Sequence, residues 1–498
     1  GTLYGRNTIG GAVKYVSRRL PQDVAFKAEA SFGTYDLAEG VVTASVPVND
    51  LIRVGGSVAR LSRGGFGDNL TLGVENYNKD IWAGRASFEM GGYGEPGFIR
   101  VQGDYTKDKS NPRGGHRLIP GLSSGAPVLD NVYDTRGGLN DPEQEVESYG
   151  VSMLAELELG GGLTFRSISA WRKDDSSTPI DFDALPAVDL DVPGYYYNEQ
   201  LSQELQLVYD NGGPLTGLIG AYYLDATADT LFDVRIFTTF AGLTAFTQAE
   251  VDTETYAIFG DFSFDVTDRV SLSVGGRYTW DNRKASILRQ NYLGGGSPVF
   301  GGAGVPFGAP GTDFDGEEDF NKFTPRASIS FKPTPDHNIY ASYSKGFKGG
   351  GFDPRGVGLN APTTTPGGPT DQEVADFLSF APEEVDSYEI GYKGNIGILN
   401  IAAAAFYADY TDVQIPGSVA CTVGGFPSFC GVVSNAGKAT FKGVELEASA
   451  RLGGGFSLSG ALGYIDAQYD EYITDIAGTP TDVAQFREVQ SPKFSIII

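Results

Sequence analysis

The chain has 498 residues, with 37 basic and 63 acidic side chains and a net charge of −26. An acidic chain of this kind repels phosphate backbones, which argues against a nucleic-acid partner. Hydrophobic residues make up 41% of the chain, and its mean hydropathy is −0.17. The longest mostly apolar stretch, residues 396–408, is interrupted by Asn400 and is too short for a membrane-spanning helix. Any crossing of a membrane would therefore use strands.

The two ends of the sequence look internal to a longer protein. The chain begins with Gly1 instead of Met, and it closes on residues 494–498 in the middle of an apolar strand pattern. We therefore interpret it as a fragment, in which a missing signal peptide carries no information.

From Phe26 onward the chain repeats one unit, made of an alternating strand, a short turn, a second alternating strand and a long loop. Side chains of a strand point alternately to its two faces, so one face of each strand is apolar and the other polar. In the clearest example, the apolar face consists of Val270, Leu272, Val274, Gly276, Tyr278 and Trp280. This pattern is typical of a transmembrane β-barrel.

Short and long connectors alternate along the chain. Turn residues occupy positions 49–50, 211–214, 267–269, 333–337, 394–397 and 453–455, whereas residues 107–145, 174–197, 282–320 and 348–383 form long polar segments. A membrane barrel places tight turns on its periplasmic side and long loops outside, a sorting that a soluble β-sandwich lacks. We therefore predict an all-β fold, a large antiparallel transmembrane β-barrel covered by outer-membrane lipid.

The polar face of the strands predicts a wide, wet interior. Glu445 and Glu447 alternate with Val444 and Leu446, and a charge facing lipid would cost about 2–4 kcal/mol at the membrane centre. Tyr and Phe residues gather near strand ends, as the aromatic girdles of barrels do. The hairpins predict about seventeen strands and a further one that begins after Ser491. A barrel of this size has a lumen that needs a plug.

Residues 1–13, GTLYGRNTIGGAV, resemble the end of the plug domain of the TonB-dependent outer-membrane receptors. Four later segments resemble the barrel of the same family and occur in the family's order. They are FTPRASISF at 323–331, IYASYSKGFKGGGF at 339–352, PEEVDSYEIGYK at 382–393 and NAGKATFKGVELE at 435–447.

The resemblance implies a fragment of a twenty-two-stranded barrel, with the C-terminal remnant of a plug domain in residues 1–19 and a C-terminally truncated barrel in residues 20–498. It implies a monomeric receptor in the bacterial outer membrane that binds a scarce extracellular small-molecule ligand and imports it into the periplasm. Iron chelates of the siderophore type are the family's commonest cargo, and cobalamin and oligosaccharides are alternatives. The partner would be an inner-membrane TonB-type energy-transducing complex, whose binding segment is absent from this sequence.

Aromatic and basic residues in the predicted extracellular loops are the candidate ligand-binding groups. Aromatic rings stack on flat or sugar-like ligands, and basic side chains neutralise anionic chelates. For any one of these residues, a place in the girdle or in a solvated loop remains an equal alternative. The candidates are Arg113, His116, Arg117, Tyr195, Tyr196, Tyr197, Phe347, Lys348, Phe352 and Arg355.

Cysteine, histidine and acidic residues are the groups that could form a disulfide, a metal site or a catalytic site. Cys421 and Cys430 are the two cysteines of the chain, and we expect a disulfide between them that closes a small loop, with two free buried thiols as the alternative. Two acidic clusters occur, one of Asp313, Asp315 and Glu317 and one of Asp181, Asp183, Asp189 and Asp191, and we interpret both as solvated loops without a specific metal. His116 and His337 form no catalytic arrangement with a serine and an acid. We therefore predict no enzyme activity, cofactor or metal.

Two other functions remain open at the level of sequence. A passive porin would share the barrel but lack a plug, and residues 1–19 argue against it. A surface adhesin or phage-docking barrel would also use long loops, and this role is compatible with import.

Overall fold

The computed structural model describes residues 5–121, 123–238, 242–423, 426–476, 479–486 and 491–497. Strands dominate, because the alternating segments pair with one another over almost their whole length. The first half of the chain forms β1 (Ala25–Gly33), β2 (Leu37–Pro47), β3 (Ile52–Arg63), β4 (Gly67–Asn69), β5 (Val74–Asn76), β6 (Lys79–Gly91), β7 (Gly97–Asp108), β8 (Glu145–Gly160), β9 (Leu163–Asp181), β10 (Asp191–Asp210), β11 (Leu215–Ile236) and β12 (Leu243–Thr267).

The second half continues the same architecture and adds one α-helix. Its elements are β13 (Val270–Leu293), β14 (Val305–Pro306), β15 (Thr312–Asp319), β16 (Lys322–Thr334), β17 (His337–Lys348), β18 (Gly351–Phe352), α1 (Asp371–Leu378), β19 (Ser379–Phe380), β20 (Glu383–Ile396), β21 (Leu399–Val423), β22 (Phe426–Gly453), β23 (Phe456–Ile476), β24 (Thr479–Asp482) and β25 (Phe494–Ile497). Short 3-10 helices lie at Pro298–Phe300, Gly358–Asn360 and Ala484–Phe486.

Eighteen of the described strands follow one another as a single antiparallel meander. The order is β1, β2, β3, β6, β7, β8, β9, β10, β11, β12, β13, β16, β17, β20, β21, β22, β23 and β25. This order agrees with the predicted seventeen strands and one that begins after Ser491. The all-β prediction is confirmed.

The two faces of the sheet differ as the alternation predicts. In β13, the side chains of Val274 and Trp280 are 59% and 41% exposed, whereas Arg277 between them is only 4% exposed. The face with the exposed apolar side chains is the outer face, and the opposite face lines the lumen. Large hydrophobic residues exposed on a continuous outer face are what a lipid-covered barrel requires.

Aromatic rings form rows across neighbouring strands on the outer face. Tyr223, Tyr256 and Trp280 are directly opposite one another in β11, β12 and β13. In another part of the sheet, Tyr343 and Tyr388 are opposite in β17 and β20, with ring centroids 5.2 Å apart. Such rows agree with the predicted aromatic girdle.

The six predicted short connectors all lie at one end of the sheet, which we call the turn end, and the opposite end is the loop end. The three-residue turn between β1 and β2, residues 34–36, lies at the loop end. Two predicted loops of the loop end are largely strand. Residues 174–197 contribute to β9 and β10 and leave only 182–190 as a connector, and residues 282–293 extend β13. Their polar composition reflects strands that have left the membrane, where both faces meet water. Composition alone therefore did not distinguish them from loops.

The predicted cysteine loop is also strand. Cys421 lies in β21 and Cys430 in β22, on two paired strands. The Cys430 side chain is buried beside Val357. The side chain of Cys421 lies outside the described residues, so the disulfide stays a prediction.

The main apolar core lies near the loop end. Ala249 and Ala285 of the extended strands β12 and β13 pack with Phe314, Phe352 and Leu378. Leu378 ends α1, whose start is fixed by a capping box between Thr370 and Glu373. The sequence predicted a long irregular loop here. A helix of eight residues is too short for its period to be recognised in the sequence. Within the described residues, no helix has the length and apolarity that a membrane crossing requires.

Candidate ligand-binding region

The N-terminal segment, residues 5–20, runs along the lumen face of the sheet. Asn7 donates its backbone N–H to the carbonyl of Phe347 at 2.9 Å, and its side-chain oxygen accepts a bond from the Gly349 N–H at 2.9 Å. Asn7 has a positive φ of 61°, which asparagine tolerates better than most residues. The segment is therefore bonded to the barrel wall where β17 ends.

A buried ion pair fixes the same segment to β13. Arg6 Nη1 lies 2.7 Å from Asp281 Oδ1, and the Asp281 side chain is fully buried. Thr255 donates to the same carboxylate at 2.6 Å, and Arg283 lies 3.4 Å from it. A buried carboxylate with two cations and a hydroxyl is well satisfied, whereas losing one partner would leave an uncompensated charge.

A second buried cluster holds the segment farther along. Glu89, which is 0% exposed, binds Arg100 at 2.6 Å and accepts a hydrogen bond from the Leu20 N–H at 3.1 Å. Arg53 Nε lies 3.6 Å from the same carboxylate. Arg100 in turn donates to the carbonyls of Ser17 and Arg18. Side chains of the barrel wall thus form hydrogen bonds with backbone atoms of this segment.

A lumen cavity of about 590 Å³ lies between the N-terminal segment and strands β9 to β13. Its lining includes the basic residues Arg6, Lys14, Arg166 and Arg277 and the acidic residue Glu204. Arg6 and Arg166 are paired with Asp281 and Glu156 at 2.7 Å, which leaves Lys14 and Arg277 as the basic side chains of this wall that could meet an anionic ligand. Sequence reasoning missed these residues because they come from separate strands. The one available signal was the place of Arg277 on the polar face of its strand.

The three predicted tyrosines of β10 do not share a face. Tyr195 stacks on Phe300 with ring centroids 4.9 Å apart and lies 6.3 Å from Tyr197. Tyr196 alternates with them, on the side that Gln200 and Glu204 present to the lumen cavity. Only Tyr196 of this run therefore faces the lumen side.

The predicted residues at the end of β17 and just after it differ in exposure. Phe347 is 0% exposed and Phe352 belongs to the loop-end core, so both side chains pack within the protein. Arg355 donates two hydrogen bonds of 2.9 Å to Asp353. Lys348 is exposed. Of these four, Lys348 has the side chain most open to a ligand.

The predicted basic group of the loop 109–144 lies beside a second cavity, of about 360 Å³, at the loop end. Arg113 is exposed and lines this cavity together with Asp181. Arg117 instead donates to the carbonyl of Asp183 at 2.7 Å, and His116 Nδ1 is buried without a hydrogen-bond partner among the described residues. Of these three residues, Arg113 has the exposed side chain at this cavity.

The two acidic clusters behave differently. Asp313, Asp315 and Glu317 are exposed on β15. In contrast, the carboxylates of Asp181, Asp183 and Asp191 come within 4.8 Å of one another. Burial and the neighbouring carboxylates raise the pKa of Asp181 to about 6 and that of Asp191 to about 8. His337, at the turn end, lies 2.7 Å from the Tyr392 hydroxyl.

A large antiparallel sheet with an apolar outer face and a polar inner face is the arrangement of a membrane β-barrel. The family description "TonB dependent receptor-like, beta-barrel" matches residues 67–494. The chain belongs to the TonB-dependent receptor family, and its place is the bacterial outer membrane.

Known proteins of this family resemble the chain over nearly its whole length. The pesticin receptor of Yersinia pestis is 24% identical over 479 residues, which are 92% of this chain and 60% of the relative. The chain thus spans about 60% of the length of such curated relatives.

Two solved structures show the shared fold. The ferric yersiniabactin uptake receptor of Yersinia pestis superposes with a TM-score of 0.74 at 19% identity, covering 100% of this chain and 68% of that one. The siderophore receptor of Acinetobacter baumannii gives a TM-score of 0.69 at 17% identity, covering 99% and 71%.

Proposed function

We propose that this chain forms the barrel and the plug end of an outer-membrane receptor that imports a scarce ligand into the periplasm. The observation that carries the proposal is the attachment of residues 5–20 inside the barrel by the Arg6–Asp281 ion pair and by the hydrogen bonds of the buried Glu89–Arg100 pair to backbone atoms of this segment. A segment held in this way supports a lumen that is closed by a plug and opened by an energy-transducing partner of the TonB type.

The division into a plug end, residues 1–19, and a barrel, residues 20–498, is part of this proposal. It is supported by the position of the first strand, β1, which begins at Ala25. The preceding described residues contact the lumen wall and join no strand of the sheet.

An iron chelate of the siderophore type is the proposed cargo. Lys14 and Arg277 in the lumen cavity favour an anionic ligand, and Arg113 and Lys348 add exposed cations. Relatives that bear the names pesticin receptor and ferric yersiniabactin uptake receptor point the same way. Cobalamin and oligosaccharides remain the alternative cargoes, and the binding of either depends less on positively charged residues of the receptor.

Uptake by the full-length natural protein tests the proposal. A strain lacking the gene is complemented with the natural gene or with one whose product cannot contact the TonB-type partner, and entry of radioactive iron chelates is measured under iron starvation. We expect energy-dependent uptake only with the natural gene.

The alternatives give different results. Uptake that persists without the energy-transducing partner and without saturation would identify a passive porin. Induction by a glycan but not by iron starvation would instead support an oligosaccharide receptor. Matched expression of both gene products, measured in outer-membrane fractions, serves as the control.

A further inference from the structure

Three aspartates meet where the β9–β10 hairpin reaches the loop end. Asp181 ends β9, Asp191 begins β10, and Asp183 lies in the connector between them. Asp181 and Asp191 are directly opposite each other in the paired strands. Like charges directly opposite across two strands destabilise a sheet, so this arrangement needs a compensating group.

Backbone N–H groups fix two of the three carboxylates. Ala184 donates to Asp181 at 2.7 Å, and Leu185 donates to Asp183 at 2.8 Å. The N–H groups of Asp189 and Leu190 each donate to the second oxygen of Asp183 at 2.7 Å. Hydrogen bonds to a carboxylate favour its ionised form. These contacts therefore favour negative charge on Asp181 and Asp183 and fix the orientation of both carboxylates.

Asp191 is the least compensated of the three carboxylates. Its side chain is 3% exposed, and Oδ1 is buried and has no hydrogen-bond partner among the described residues. Arg235 is opposite Asp191 in β11, but its Nε donates to Asp233 at 3.2 Å. Arg235 therefore offers Asp191 only a charge that it shares with Asp233, and a buried oxygen left unpaired beside two other carboxylates calls for a further cation.

We propose that Asp181, Asp183 and Asp191 bind a calcium ion. Calcium takes carboxylate oxygens at about 2.3–2.6 Å, so two ligands on opposite sides of the ion are at most about 4.6–5.2 Å apart. The three carboxylates of this site fall within 4.8 Å. The chemistry of the ligands favours calcium over magnesium, because calcium accepts several carboxylates in flexible geometry whereas magnesium usually keeps several waters and binds one or two carboxylates.

The ion would join two extracellular connectors. Asp181 also accepts a bond from the Leu139 N–H, Gly138 donates to the carbonyl of Leu185, and Arg117 donates to that of Asp183. Residues 109–144 and 182–190 therefore meet at the proposed site. Because Asp181 and Arg113 both line the loop-end cavity, calcium would also order the wall of that cavity.

Calorimetric titration of CaCl2 into the full-length protein, purified in detergent and freed of metal with EGTA, tests the proposal. We expect one saturable site that is weakened at least about tenfold by Asp191→Asn, because this substitution keeps the shape and removes one ligand charge. Asp315→Asn is the matched control, since it removes an exposed aspartate from the other acidic cluster, and it should leave the titration unchanged. Absence of saturable binding, or equal binding by the natural protein and Asp191→Asn, would overturn the proposal.

Limited proteolysis of the natural protein provides a second measurement that needs no variant. Calcium should slow cleavage within residues 109–144 and 182–190 at least about threefold relative to EGTA, as expected for a ligand that stabilises local structure. Magnesium at the same concentration should protect less. Equal cleavage with calcium and EGTA contradicts the site even if Asp191→Asn fails to fold.

Discussion

At the scale of single residues, buried charge is concentrated where the N-terminal segment meets the barrel wall. Glu89 neutralises Arg53 and Arg100 at once, and Asp281 does the same for Arg6 and Arg283. The contribution of such pairs to stability is small compared with the cost of breaking them, because a lost partner leaves a charge in a low-dielectric environment.

Replacing Glu89 with Gln should therefore lower the free energy of unfolding by about 3–5 kcal/mol, since two buried arginines lose their counter-charge. Urea unfolding of the refolded protein, followed by the electrophoretic shift between folded and unfolded barrel, measures the change. Glu95→Gln is the control: this exposed side chain lies in the adjacent turn, and its replacement should stay within about 0.5 kcal/mol. Equal values for the two variants would contradict the role given to Glu89.

Strand faces were predictable from sequence, whereas most of the candidate site was not. A period of two residues directly encodes which side chains of β13 face lipid and which face the lumen. The lumen cavity joins residues that are separated by more than 200 positions, such as Arg6 and Arg277, and no local pattern marks their meeting. Phe347 and Phe352 were predicted to bind a ligand but are buried. A loop-like, aromatic sequence does not reveal that its rings pack inward.

At the scale of elements, β13 provides a matched pair for testing its two faces. Val274 lies on the outer face and is 59% exposed, whereas neighbouring Ser273 faces the lumen and its hydroxyl lies 2.7 Å from that of Ser263. Val274→Lys should destabilise the barrel by about 2–4 kcal/mol in lipid, because the charge would face hydrocarbon.

Ser273→Lys, the control, should have less than half of this effect because its charge enters a wet lumen. Both free energies are measured by denaturant titration in the same phospholipid vesicles. A larger loss for Ser273→Lys would show that the faces have been assigned in reverse.

The α1 helix is anchored to the loop-end core by its last residue. Leu378 is 1% exposed and packs in the loop-end core. Leu378→Ala should cost about 2–5 kcal/mol of local stability and speed proteolysis within residues 353–382. Gln372→Ala, on the exposed side of the same helix, should leave the cleavage rate almost unchanged; faster cleavage of this control alone would contradict the packing described.

At the scale of the whole molecule, attachment of the N-terminal segment should determine how well the lumen is sealed. In the full-length protein, Arg6→Gln removes the bond to Asp281 and should raise single-channel conductance in planar bilayers at least about twofold, since breaking a buried pair loosens the segment. Lys14→Gln changes an exposed residue of the same cavity and is the control. Conductance that does not respond to Arg6→Gln would argue against this seal.

The length of β12 and β13 has a consequence for how the protein can vary. At about 3.3 Å per residue, these strands of 25 and 24 residues are on the order of 80 Å long, whereas a tilted crossing uses roughly 9–11 residues. More than half of each strand therefore stands in water and is supported by its own packed interior. Selection by antibodies, phages or toxins can thus favour substitutions and insertions in the strand parts outside the membrane, while the part embedded in the bilayer stays unaltered.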